Sequence, residues 1–247
     1  MRVFTASIIV ILTFVGTSAD ADFAVAPGSV PIEALFEHAT LVCNCYVSGV
    51  EDRTSEIEVH SGRSLRHQVT ATVAVQDFYK SDETPQSSFS VRYEVDEQQG
   101  IRIAGSRLGL AKGETALLFL TKNTDNTFEF ADPFVGAVQF SSLPQMQSGR
   151  GLLKLQAALS SLVRREAGDR LAALQVLLGF QHLSEETRAA VQPLSESPDA
   201  NVALTALGIL LRTKSADSVK QLDRYLTTHK LEVEPTALYV IGRSSAR

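Results

Sequence analysis

Apolar and polar positions follow two rhythms along this chain, and the change falls near residue 145. Before it they alternate. Val69, Ala71, Val73, Val75 and Asp77 point to one side of an extended segment, and Thr70, Thr72, Ala74 and Gln76 to the other. A period of two residues marks a half-buried strand. Short runs rich in Val, Thr and aromatics, separated by turn residues, predict strands at 40–50, 65–79, 89–95, 101–104, 115–121, 127–131 and 135–140. Asp125-Asn126 predicts a tight turn between the last two apolar runs before Ala131. Ahead of the strands, residues 31–39 place Ile32, Leu35 and Phe36 on one face of a short helix, with Ser29 as its cap and Glu33 in its first turn.

After residue 150 the apolar positions recur every third or fourth residue. Leu152, Leu155, Leu159 and Leu162 form one stripe, Leu171, Leu174, Leu177 and Leu178 a second, and Val219, Leu222, Leu226 and His229 a third. Asp199 is placed to cap a helix over 200–212, and Pro193 to end one that begins near Glu185. The polar stretch 141–150, with Pro144 and Gly149, separates the two rhythms. The pattern therefore predicts an α+β chain: a small β-barrel over 22–140, a linker over 141–150, and a helical domain over 151–247. Because three helical repeats are needed before such an array is stable alone, the 152–162 stripe is expected to pack on the first repeat or on the barrel.

Composition adds an address. Arg2, the apolar run Val3–Val15 and the small-x-small sequence Ala19-Asp20-Ala21 make a signal peptide over 1–21, with cleavage after Ala21 or Ala19. The run is shorter than the roughly 20 residues a spanning helix needs, and no later segment reaches that length, so no membrane insertion is expected after cleavage. The chain is expected to be exported, to the periplasm or beyond. Its 247 residues carry a net charge of −5, and two cysteines cannot supply a disulfide scaffold. Residues 22–149 hold 9 basic and 17 acidic side chains, and residues 150–247 hold 13 and 10, so the halves complement each other in charge. Arg164-Arg165 and the basic residues 243–247 are too sparse for a nucleic-acid footprint.

Candidate chemistry concentrates at Cys43-Asn44-Cys45. In a strand, Leu41, Cys43, Cys45 and Val47 share a face, and a rise of about 3.3 Å per residue sets the two cysteine Cα atoms roughly 6.6 Å apart. That lies near the upper limit for a disulfide, and parallel side chains would require the strand to buckle. Three readings remain: two buried small hydrophobes, a soft-metal site using Cys43, Cys45 and His38, or a strained or intermolecular disulfide. Zinc is not expected, since it needs three or four converging ligands and His60 and His67 merely flank a predicted loop. Glu94, Asp96 and Glu97 read as a solvated strand end. Neither G-x-S-x-G nor G-x-x-x-x-G-K-[ST] occurs. No catalytic residue, cofactor or metal is predicted.

Two resemblances follow. Ala34–Ala39, Thr40–Val47, Ala71–Lys80 ending Phe78-Tyr79-Lys80, and Gly113-Glu114-Thr115-Ala116-Leu117-Leu118-Phe119-Leu120 resemble the netrin-like module, the OB-type barrel of the tissue inhibitors of metalloproteinases, over residues 30–140. Those inhibitors carry a C-x-C at the mature N-terminus that chelates the target's zinc. Here Cys43-Asn44-Cys45 lies some twenty residues inside, so no inhibitory wedge carries over, and the family's disulfide framework is missing. In the second half, Ala173-Leu174, Ala203-Leu204 and Ala237-Leu238 begin similar frames closing on Gly179, Gly208 and Gly242, spaced 30 and 34 residues apart. With Ser197-Pro198-Asp199 leading into a helix, this resembles HEAT-type repeats, and the combination looks like exported bacterial proteins. The netrin-like resemblance implies a barrel used for extracellular binding; with the signal peptide, the repeat and no catalytic set in the sequence, the expectation is a non-enzymatic scaffold that binds a protein partner of unknown identity. The alternatives are soft-metal handling by Cys43 and Cys45, and an enzyme with a scattered active site.

Overall fold

The structure, a computed structural model, describes residues 31–59, 62–82, 86–98, 101–103, 109–132, 136–145, 149, 151–165, 168–212 and 216–229. The signal-peptide reading, Ser29, His60 and the frame at 237–242 lie outside the described residues. The chain is mixed α+β. Its strands are β1 (Leu41–Val59), β2 (Gly62–Ser81), β3 (Ser88–Gln98), β4 (Ile101–Ile103), β5 (Thr115–Lys122), β6 (Phe128–Phe130) and β7 (Ala137–Phe140). Its helices are α1 (Ile32–His38), α2 (Gly151–Arg164), α3 (Asp169–Leu178), α4 (Glu185–Val191), α5 (Ala200–Arg212) and α6 (Ala216–His229).

β1 and β2 run antiparallel from Leu41↔Ser81 out to Val59↔Gly62, well past the strand ends the sequence predicts. Residues 51–56 are polar and exposed, so the apolar rhythm stops while backbone pairing continues. Pairing passes from β1 to β2, β3, β6 and β5, and β5 pairs β1 again over Leu41–Tyr46. β7 pairs the start of β5, and β4 pairs β3. Inside this circuit lie Leu41, Cys43, Cys45, Val47, Ala71, Val73, Phe89, Val91, Ala116, Leu118 and Leu120.

β5 is buried on both faces, which is why Ala116–Leu120 reads as a continuous apolar run rather than an alternating one. Its alternate residues Leu117 and Phe119 turn outward, with Val42, Tyr79 and Phe140, into a second cluster. There they meet Ile32, Leu35 and Phe36 of α1, Leu155 and Leu159 of α2, and Leu174 and Leu177 of α3. The helices thus cover one side of the strands with a shared core, and α2 and α3 both touch strands and helices.

Helix ends are secured as the sequence suggests at two points. Asp199 Oδ1 accepts from Asn201 N and Val202 N at the start of α5, and α4 gives way at Val191 to a 3-10 turn containing Pro193. α1 begins differently: its N-cap is Pro31, with no side-chain bond. Its C-terminal carbonyls find a distant donor, because Lys80 Nζ donates to Phe36 O, Glu37 O and Ala39 O. The apolar face of α6 follows the expected stripe at Leu222 and Leu226, which pack against α5, and departs from it at two positions. Val219 is 61% exposed, whereas Tyr225 is buried against Ala203, Leu204 and Leu207. The small Ala203 leaves room for the ring, so α6 turns its one aromatic toward α5.

Two polar joints fasten strands to helices, and a third fastens α1 to the helical part. Lys154 of α2 pairs with Asp77 of β2, and both side chains are about one-tenth exposed. The same ammonium donates to Phe78 O and lies over the Tyr79 ring. Asp169 accepts from Ser141 N, Ser141 Oγ and Ser142 N after β7. Glu33 Oε1 accepts from Gln181 N and His182 N, fixing α1 to the segment after α3. Beside it, Ile32 N donates to Gly179 O, and a Cβ at Gly179 would come within 2.7 Å of Ile32 Cγ1.

Candidate functional site

Cys43 and Cys45 lie on the inward face of β1, and neither has any exposed surface. Their flanking pairings explain how they sit. Against β5 the register is unbroken, with Cys43↔Leu118 and Cys45↔Ala116. Against β2 it slips twice, between Val42 and Cys43 and between Asn44 and Cys45, so Tyr79 and Gln76 of β2 stand out of the ladder. Such bulges bend the strand that carries the extra residue, here β2, and increase the local twist of the pair. The outcome departs from the parallel arrangement expected of a regular strand: the two Sγ atoms are unbonded but only 3.0 Å apart. Burial, then the adjoining Cys45 thiol, push the Cys43 thiol well above its ordinary pKa. His38 is exposed at the far end of α1, and among the described residues no three His, Cys, Asp or Glu side chains converge on a metal position.

Between the cysteines, Asn44 faces the other way. It is buried, and its amide donates to Gln76 Oε1 and to Leu143 O. Behind them, Tyr79 is 3% exposed and its hydroxyl makes no hydrogen bond among the described residues. Burial first, then the charge of Asp77, raise its pKa.

A second feature occupies the outer face of the ribbon formed by β1, β2 and β3. Glu51 pairs Thr70, which pairs Arg92; Arg53 pairs Gln68, which pairs Glu94. Directly opposed residues share a face, so these six side chains stand in two neighbouring rows, Glu51–Thr70–Arg92 and Arg53–Gln68–Glu94. The charges at the row ends alternate in sign. With Glu129 they border a groove of about 930 Å³ that is also lined by Val69, Tyr93 and Phe130 of the intervening positions.

The groove is held in shape from beneath and from the side. The Tyr93 and Phe130 rings lie 5.1 Å apart, and Tyr93 Oη accepts from Leu110 N. Gln68 Nε2 donates to Glu94 Oε1. Arg92 Nη1 lies 2.6 Å from Asp125 Oδ2. Bonds from the Thr127 hydroxyl and backbone, then the Arg92 charge, hold the Asp125 carboxyl below its ordinary pKa. Asn126, in the turn predicted at Asp125-Asn126, has a φ of 63°, a left-handed geometry that Asn tolerates.

Sequence reasoning singled out only Glu94 of this groove, and as a strand end. The signal was present in Glu51 and Arg53, which oppose Arg92 and Glu94 two strands away. It needs the β1–β2–β3 register to be seen, and the apolar pattern does not supply that register through polar residues. Asp96 and Glu97 lie on β3 beyond the groove. No protein-family model matches the chain, and no curated protein matches it.

Proposed function

We propose that this chain is an exported, non-enzymatic binding protein that holds a segment of another protein along the outer face of β1–β3. The groove carries the reading: two rows of alternating charge, backed across the strands by the paired Tyr93 and Phe130 rings, are arranged for a polar chain segment of complementary charge. The reading includes an OB-type, netrin-like barrel, supported by the circuit of pairings that leaves β1 and returns to it through β5, and OB-type barrels use this outer face for ligands. It also includes HEAT-like packing after residue 150, supported by α5 lying on α3 with similar Ala-Leu frames 30 residues apart. Export rests on the sequence of residues 1–21. Beyond Val47, β1 pairs only β2 among the described residues, leaving an edge on which an extended segment can lie. The side chains there, Glu51, Asp52, Arg53 and Glu56, are mostly acidic, which repels a second copy of the same edge.

A photo-crosslinking residue at the exposed Gln68 tests this in envelope extracts, with the same residue at exposed Lys220 as control. One protein is expected to be captured from Gln68 and not from Lys220. Capture is expected to fall about tenfold when Arg53→Glu and Arg92→Glu reverse the groove charges. Equal capture from both positions, or capture indifferent to the reversal, would overturn the assignment.

A further inference from the structure

We infer that Cys43 and Cys45 are a built modification site, a pair that closes into an intrachain disulfide across Asn44 as the strands fold. In a regular strand, residues two apart project in parallel and their sulfurs stay about as far apart as the Cα atoms, roughly 6.6 Å. Here they stand at 3.0 Å, less than half of that and inside van der Waals contact for two sulfur atoms. The remaining approach to a bond of about 2.04 Å is one ångström.

The convergence is made by the fold. Register slips just before Cys43 and just before Cys45 occur against β2, whose extra residues Tyr79 and Gln76 add local twist to the pairing, while the register against β5 is unbroken. Around the pair lie Val47, Ala71, Val73, Leu118 and Leu120, all apolar and fully or almost fully buried. The setting offers no cation to stabilise a thiolate and no third metal ligand among the described residues. Two free thiols there would be held in a contact that thiol–thiol hydrogen bonding, a weak interaction, does little to reward. A disulfide removes the crowding and leaves no donor to satisfy.

Both sulfurs are fully covered in the folded chain, so the carrier reaches them while β1 is pairing with β2 and before β5 closes the circuit. The co-reactant is a carrier disulfide, of the kind that exchange catalysts present in oxidising compartments. One cysteine loses its proton and its thiolate attacks a carrier sulfur, which expels the other carrier sulfur as a thiolate. The second cysteine thiolate then attacks the mixed disulfide and releases the first carrier sulfur. Two electrons pass to the carrier, which leaves as a dithiol after taking up the two protons. The inference rests on export for where this happens, and on the fold for which partner is chosen.

The two are separated by one preparation. Full-length tagged protein is located by cell fractionation, which tests export alone. Protein from whichever fraction holds it is then denatured, reduced, and refolded in mixed oxidised and reduced glutathione. After an acid quench it is denatured again, treated with an alkylating reagent and weighed. The expected product is a monomer lighter than the reduced chain by two hydrogen atoms, with no alkyl group until a reductant is added. Two alkyl groups without reduction, a glutathione adduct, a retained metal ion or a disulfide-linked dimer would each overturn the site. Cys43→Ala under the same treatment is expected to take one alkyl group or one glutathione.

Discussion

Tyr79 sets a phenol where ionisation is costly, between the two clusters and close to both Asp77 and the cysteine pair. Its raised pKa fixes a sign. Between the ordinary tyrosine value of about 10 and the higher folded value, the native state keeps a proton that the unfolded chain releases, so stability falls as pH rises through that window. Below pH of about 10 the contribution is complete. Tyr79→Phe is expected to remove this alkaline decline, read as a flatter dependence of the urea midpoint on pH. At neutral pH it should cost little, since the hydroxyl has no partner among the described residues to lose. An unchanged alkaline slope would mean that other groups set it. The cysteine pair carries a different lesson at this scale. That Cys43 and Cys45 face inward was legible from their spacing on a strand. Their convergence was not, because it originates in Tyr79 and Gln76, two residues of the neighbouring strand that step out of register.

Between elements, the decisive link is Lys154 to Asp77. Each charge is nearly withdrawn from water, so removing one partner strands the other. Lys154→Met alone or Asp77→Asn alone is expected to cost about 3 kcal/mol in urea unfolding, and the pair together distinctly less than the sum. Additive losses would show that the contact is incidental to how α2 sits on β2. Sequence rhythm located α2 and its buried stripe Leu155, Leu159 and Leu162 without difficulty, because a helix face is set by its own spacing. It failed where an element's extent or facing depends on a neighbour. The polar outer half of β1 is a strand because β2 pairs with it, and α6 faces α5 through Tyr225 because Ala203 makes room there. The groove is the same case on a larger footing, since its two charged rows exist only once three strands are in register.

For the molecule as a whole, the shared core governs. Leu117 and Phe119 of β5 are covered by helices that begin thirty residues later in the chain, so the change of rhythm at residue 145 does not mark a place where the protein can be cut cleanly. Residues 22–140 produced alone are expected to associate or to bind a hydrophobic dye strongly, because that outward face of β5 becomes solvent-exposed. A monomeric, dye-silent fragment with a cooperative melt would overturn this. The same arrangement bears on assembly in time. Glu33 reaches the backbone of Gln181 and His182 across 148 and 149 residues, so α1 has its seat built by a segment that arrives long after it. Closing so long a loop is a late and slow event. A chain whose first described helix cannot dock until residues 181 and 182 are present stays threadable until then, which suits the export proposed for it.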